Sequence, residues 1–428
     1  MMAALTILID LSVLCGVAWW VYKKQPEPIK TFYWPALTLK LLAGVAVGWV
    51  YFYHYGQGDT ISYWQDGKSL AEKIMSDPGG AWNFYWDENP DRQLMAGMIH
   101  DKPRSLFFVK IAGVLAFICG GNYWMMSGII SFISFLGAWY LFKQISHCFP
   151  ASRQAAAISF LFYPSVVFWS SGIIKESLGL GALFLLAGVF LKFITHEKIN
   201  SWEWIVGLLS LWIGWNLKYY WMGVLMPVVI TTVVVNLLKR GRPVMARFEL
   251  VIWTGLFVIF LLIATSIHPN FYPHRFLEVI VQNNEEFMTL TDPKNAVHYN
   301  DLQPKASSVI ANSPQALVAG LFRPFVWEAH NLLSLSAGLE NILLLMLVVS
   351  ALPSLTKLLN APHRLLGFAI IIYIIILATF LALSTPNLGT LSRYKVGFLP
   401  FLVFLTFYRN PFVARLSNRL ARINTIIK

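Results

Sequence analysis

The chain has 428 residues, 57% of them hydrophobic and only 13% charged. Ordinary soluble proteins carry roughly a quarter charged residues, so a string of soluble domains is excluded. The formal net charge of +12 would ordinarily point to nucleic acid or an anionic surface, and its placement along the chain decides between such readings.

Apolar runs of about 20 residues recur from end to end and match a hydrocarbon core of roughly 30 Å crossed at about 1.5 Å per residue. The fold class expected is therefore an all-α polytopic membrane protein, one transmembrane domain over residues 1–428. Apolar spans are read at 3–22, 31–54, 122–142, 156–171, 177–195, 202–217, 220–238, 249–266, 338–356, 365–384 and 394–408, eleven in all. The first has no basic residue before it and Lys23 and Lys24 after it, which suits a retained helix with its N-terminus outside rather than a cleaved signal peptide. Three cysteines, Cys15, Cys119 and Cys148, form no C-x-x-C pair, which argues against a disulfide framework or a structural zinc site. No Walker loop, GxGxxG, HExxH or GxSxG stands in a usable context.

Residues 104–120 are ambiguous, being short and containing Lys110. The positive-inside rule arbitrates. With this stretch lying on the outer surface, the inner segments 23–30, 143–155, 192–201, 239–249, 357–364 and the basic cytoplasmic tail 409–428 hold 18 Lys/Arg. The acidic residues on that side number 4, Glu203 at a span edge included. The outer segments hold 14 Lys/Arg and 16 Asp/Glu. If 104–120 crossed, only 11 Lys/Arg would stay inside. The stretch therefore reads as an interfacial helix. Two long outer loops follow, 55–121 and 267–337, and connections of that length carry function or are disordered. Their aromatic segments AWNFYWDENPD, NFYPHRF and FRPFVWEAH argue against disorder.

Five clusters on the outer side hold candidate chemistry. In GQGDTISYW, Asp59 stands just beyond a span with Gly56 and Gly58 before it and Tyr63 one helical turn on. A carboxylate there suits a general base, and equally an N-cap. In FYPSVVFWSSGIIKESLGLGALF, Lys175 and Glu176 follow a Ser170-Ser171-Gly172 turn where the chain re-enters the membrane, a costly place for ionisable groups. Their plainer reading is an interfacial ion pair with Lys175 snorkelling. Lys218, between Trp215 and Trp221, is open to the same two readings. LFRPFVWEAHN brings Arg323, Trp327, Glu328 and His330 together, the arginine able to hold a phosphate bidentately and the lone histidine of a kind more often structural than catalytic. Finally, STPNLGTLSRYKVGFLPF places Arg393 and Lys395 around Tyr394 at an outer helix start, where the positive-inside rule disfavours cations. That placement argues most strongly for an anionic ligand.

A carboxylate base, several cations and many aromatics suit glycosyl transfer from a lipid-phosphate-linked donor, with cations stabilising the departing phosphate. The helix count, the long first outer loop opening on GDTISYW, its interfacial helix and the late RYK resemble the GT-C class of polytopic glycosyltransferases, which use polyprenyl-phosphate or polyprenyl-pyrophosphate sugars. PSVVFWSSGIIKES and NLGTLSRYKVGFLPF also resemble bacterial exopolysaccharide and O-antigen polymerase-type membrane proteins. The resemblance implies that Asp59 is the catalytic acidic residue, Glu176 a second pocket carboxylate, and Arg393 and Lys395 the holders of the donor phosphate. Tyr63, Lys175, Lys218, Arg323, Trp327, Glu328 and Tyr394 complete the expected substrate-binding set. It implies a multi-pass protein of a bacterial inner membrane, its active side outside, in cell-envelope polysaccharide synthesis with a glycan, lipid or protein acceptor. The chain departs from metal-using members in lacking a DxD pair after Asp59, although WDENPD at 86–91 offers acidic ligands for a divalent ion. A second departure is that two helices, not one, precede the long loop. Two other readings stand beside the enzyme: a transporter or flippase of lipid-linked glycans, and a non-catalytic subunit of an envelope complex. Nucleic acid is not an expected partner.

Overall fold

The computed structural model describes residues 2–86, 95, 97–267, 272–361, 363–408 and 410. Regular structure among them is helical, with one isolated antiparallel bridge between Ala296 and Asn387. Seven of these helices are long and apolar enough to cross a membrane, and eight if the pair Leu388–Gly397 and Leu399–Phe407, bent by 65°, forms one span. The protein is thus an all-helical, multi-pass membrane protein.

The eleven apolar stretches condense for local reasons. Residues 156–171 do not make one helix: a π-turn at Ile158–Phe162 gives way to a short helix at Pro164–Trp169. Pro164 has no N–H to donate and pushes the residue before it out of helical geometry. The stretches 202–217 and 220–238 are two helices that adjoin at a kink within Ser201–Leu238, where Lys218 has non-helical angles of φ −141° and ψ 61°. The helix Pro103–Ile118 has 16 residues, about 24 Å at 1.5 Å per residue, and falls short of the hydrocarbon thickness.

The chain divides into two compact units: residues 1–153 with 160–219, and residues 154–159 with 220–428. In the first, Tyr123–Cys148 packs on Lys175–Ile194 through glycines. A Cβ built on Gly137 would lie 2.3 Å from the carbonyl oxygen of Gly181, so the two backbones touch there. Small residues at helix crossings permit this approach where water supplies no driving force. A second pair, Asp59–Ser76 with Pro103–Ile118, meets where Gly67 faces Ala112. Only one face of Pro103–Ile118 is covered. Phe108, Val109, Ala112 and Ala116 are buried, while Val114, Phe117 and Ile118 are exposed.

In the second unit, Ala306–Phe322 packs on Arg364–Ser384 with Gly320 against the Ala378 backbone. Glu249, buried, accepts bonds from Arg364 Nε at 2.6 Å and Lys239 Nζ at 2.9 Å, fixing one end of three helices. The bridge at Ala296 is completed by Val297 N donating to Pro386 O at 2.8 Å, which fastens the irregular stretch after Pro273–Leu290 to the start of the bent pair.

Candidate functional site

The acidic residue of the first loop is positioned by backbone geometry. Tyr33–Trp49 ends in a π-helical turn, Val50–Tyr55, closed by Gly56 in the left-handed region. Gly58 follows at φ 130° and ψ −179°, a conformation open in practice only to glycine, and a Cβ there would meet the Tyr51 ring at 2.6 Å. The next helix, Asp59–Ser76, has Gly58 in its N-cap position, so Asp59 does not act as the cap. It is the first helical residue, half-buried, where a carboxylate is favoured by the helix dipole. Thr60 anchors this start through a 2.7 Å bond with the Tyr123 hydroxyl.

Spacings of four and three put Asp59, Tyr63 and Asp66 along one face of that helix. Asp66 is buried and accepts three bonds, from Ile99 N at 2.9 Å, His100 N at 3.0 Å and His100 Nδ1 at 2.7 Å. The His100 ring stacks on Tyr63 with centroids 4.0 Å apart and planes 6° from parallel. The Tyr63 hydroxyl donates to Ser105 Oγ at 3.3 Å, and Lys175 Nζ approaches the same oxygen at 3.4 Å. Lys175 also lies 5.6 Å from the Tyr63 ring centroid, an attractive placement for an ammonium. Arg104, beside Ser105, stacks its guanidinium on Tyr219 at 3.6 Å.

Glu176 pairs with Lys218, its Oε1 2.7 Å from Nζ, and both side chains are 2% exposed. The break in the long helix at Lys218 turns that side chain into the protein. The plainer expectation for Lys218 does not hold, because its side chain is buried and bonded to Glu176 across 42 residues. Deep in the same unit, Lys40 donates to Ser170, so the serine turn before Lys175 has an amine beneath it.

In the second unit, the Arg323 guanidinium grips Glu328, with Nε 2.9 and 3.1 Å from the two oxygens. Glu328 also accepts from Phe325 N at 2.7 Å, which closes the segment on itself. Lys395 is buried and donates to Asn341, whose own amide donates to Pro324 O at 2.8 Å. Arg323, Glu328 and Lys395 therefore form one framework linking the FRPFVWE segment to the bent pair. Tyr299 bonds to Ala382 O at 2.9 Å, and burial pushes its phenol above the ordinary range, opposed by the charge of Arg323. Arg393 and Tyr394 are half-buried, the guanidinium 5.4 Å from the Tyr394 ring and that ring 5.7 Å from Tyr220. Trp327 is 75% exposed and stacks on Phe325.

Thus Tyr63 and Lys175 meet at Ser105, Glu176 and Lys218 meet each other, and Asp59 lies one turn from Tyr63. Arg323, Glu328 and Lys395 are joined in the other unit. The reading of the sequence missed Asp66, His100, Ser105, Arg104 and Asn341. A signal existed for Asp66, the four-and-three spacing from Asp59, but none tied His100 to it. The acidic ligands at 87–91 and the basic tail after Asn410 lie outside the described residues. Among the described residues, one group of mixed metal-ligand types, His147, Cys148 and Glu197, comes within 4.8 Å, away from the residues above in sequence. Compared with family models, with curated proteins and with solved structures, the chain matches nothing.

Proposed function

We propose that the protein is a membrane glycosyltransferase. It moves a sugar or glycan from a polyprenyl-(pyro)phosphate-linked donor to an acceptor at the outer face of a bacterial cytoplasmic membrane. The observation that carries this reading is the placement of Lys175. It heads a helix of membrane length, touches Ser105, and lies over an aromatic ring whose helix presents a carboxylate, Asp59, one turn away. An ammonium beside an aromatic platform suits a phosphate joined to a sugar, because the cation meets the phosphate and the ring stacks on the sugar. In the second unit, Arg393 beside Tyr394 repeats the same pairing of cation and ring.

The buried Glu176–Lys218 pair has a supporting part in this reading. It neutralises the carboxylate next to Lys175 and holds the head of that helix. Glu176 is thereby moved from a reacting group to a positioning one. Asp59 is the carboxylate set against the acceptor.

The test is direct. Full-length protein in nanodiscs should bind undecaprenyl phosphate, and Lys175→Ala and Arg393→Ala should each weaken that binding by roughly tenfold, as loss of one charge-assisted contact implies. Asp59→Asn should abolish glycan transfer while leaving insertion intact. Unchanged binding in both cation variants, or full transfer by Asp59→Asn, would sink the assignment.

A further inference from the structure

The geometry points to His100, aligned by Asp66, as the group that takes the proton from the acceptor hydroxyl. This rests on the glycosyl-transfer reading and names a residue that the sequence did not suggest.

Three observations carry it. First, Asp66 is fixed before any substrate arrives: two backbone N–H groups, from Ile99 and His100, hold its oxygens while Nδ1 of His100 lies 2.7 Å from Oδ2. An ionised carboxylate only accepts, so Nδ1 carries the proton, and in the neutral ring Nε2 keeps its lone pair. Second, Nε2 makes no hydrogen bond among the described residues, and the side chain is 15% exposed, so the imidazole is neither sealed nor loose. Third, the ring is locked in plane by Tyr63, whose hydroxyl leads through Ser105 to Lys175. The proton acceptor and the proposed phosphate-holding cation are therefore built into one connected group.

The step balances. The acceptor hydroxyl oxygen forms the new bond to C1 of the donor sugar as its proton passes to Nε2 of His100. The bond from C1 to the phosphate oxygen breaks, and its electron pair leaves with the polyprenyl (pyro)phosphate, held at Lys175. The imidazolium so formed lies against the Asp66 carboxylate, as an aligned histidine–aspartate pair requires. Asp59, one turn from Tyr63, orients the hydroxyl, and Asp66 is a positioning residue.

Two measurements test this in the full-length protein. In nanodiscs supplied with lipid-linked glycans extracted from bacterial membranes, His100→Gln and His100→Asn should lower turnover by on the order of 10²–10⁴-fold. Binding of undecaprenyl phosphate should stay within about threefold of wild type, the allowance for a group that acts on the proton and not on donor affinity. His100→Ala should recover part of its turnover with added imidazole, which a purely structural histidine would not show. Separately, ¹⁵N-histidine NMR should find His100 in the Nδ1–H tautomer, with that signature lost in Asp66→Asn. An Nε2–H tautomer in wild type, or turnover in both His100 variants within threefold of wild type, overturns the proposal. Absence of turnover from the wild-type protein refutes glycosyl transfer and the identity of the hydroxyl, while the tautomer still decides the alignment by Asp66.

Discussion

Glu176 and Lys218 lie buried against one another, where no water stabilises either charge. Taking two charges out of water costs several kcal/mol per ion, and only close pairing compensates. At 2.7 Å, with both side chains 2% exposed, the pair meets that condition. Breaking it on one side is therefore expensive. Glu176→Gln should destabilise the protein by about 3–5 kcal/mol, the range for a buried charge left without its partner. The measurement is thermal unfolding in detergent, followed by fluorescence-detected size exclusion. The double variant Glu176→Gln with Lys218→Met removes both charges and should recover most of the loss. If the single variant is as stable as the wild type, the pair does not hold the head of the helix. Asp59 differs in kind, because it is half-buried and its helix start is already served by Gly58. Its substitution should cost activity without comparable loss of stability.

Among the helices, packing is set by glycine more than by the large apolar residues that reveal the spans. Gly137 and Gly181 bring two membrane-length helices into backbone contact, and Gly137→Ala would force a methyl group to 2.3 Å from a carbonyl oxygen. Overpacking of this kind typically costs about 1–3 kcal/mol. Gly128→Ala, on the same helix with open space around it, should be near neutral, and the contrast can be read from the same unfolding curves. Equal effects of the two substitutions would mean that the contact does not determine stability. The same distinction explains what the sequence discloses. Hydrophobic runs identify Tyr123–Cys148, Lys175–Ile194 and Arg364–Ser384 because apolarity over about 20 residues is a local property. The π-turn at Val50–Tyr55, the break at Lys218 and the bend in the last pair depend on what the backbone packs against, and no run of residue types announces them. The candidate site divides likewise. Asp59, Tyr63 and Lys175 stand out because the apolar runs beside them mark where the chain leaves and re-enters the membrane, whereas His100 becomes meaningful only when a buried carboxylate 34 residues earlier reaches it.

For the molecule as a whole, the +12 charge becomes intelligible once it is divided by the expected orientation. Inner segments sum to +14 and outer ones to −2, with Lys40 and Asp10 cancelling inside spans. Under that expected orientation most of the excess is an orientation signal. Lys239 and Arg364, from two of the expected inner segments, are bonded to Glu249, so that face is held by its own ion pairs. The orientation is open to direct test with a membrane-impermeant thiol reagent on intact cells. Cys119 gives no background, because burial, aided by the charge of Asp10, pushes its thiol up to about 12 and the reactive thiolate is scarcely formed. Cys15 and Cys148 are replaced by serine. In that background Gln57→Cys, on the exposed turn before Asp59, should label from outside, and Gly241→Cys should label only after the membrane is permeabilised. Labelling of Gly241→Cys in intact cells, with Gln57→Cys protected, would invert the protein. It would put Asp59, His100 and Lys175 on the cytoplasmic side, where a donor presented at the outer leaflet could not reach them. The same experiment therefore judges the charge rule and the proposed reaction together.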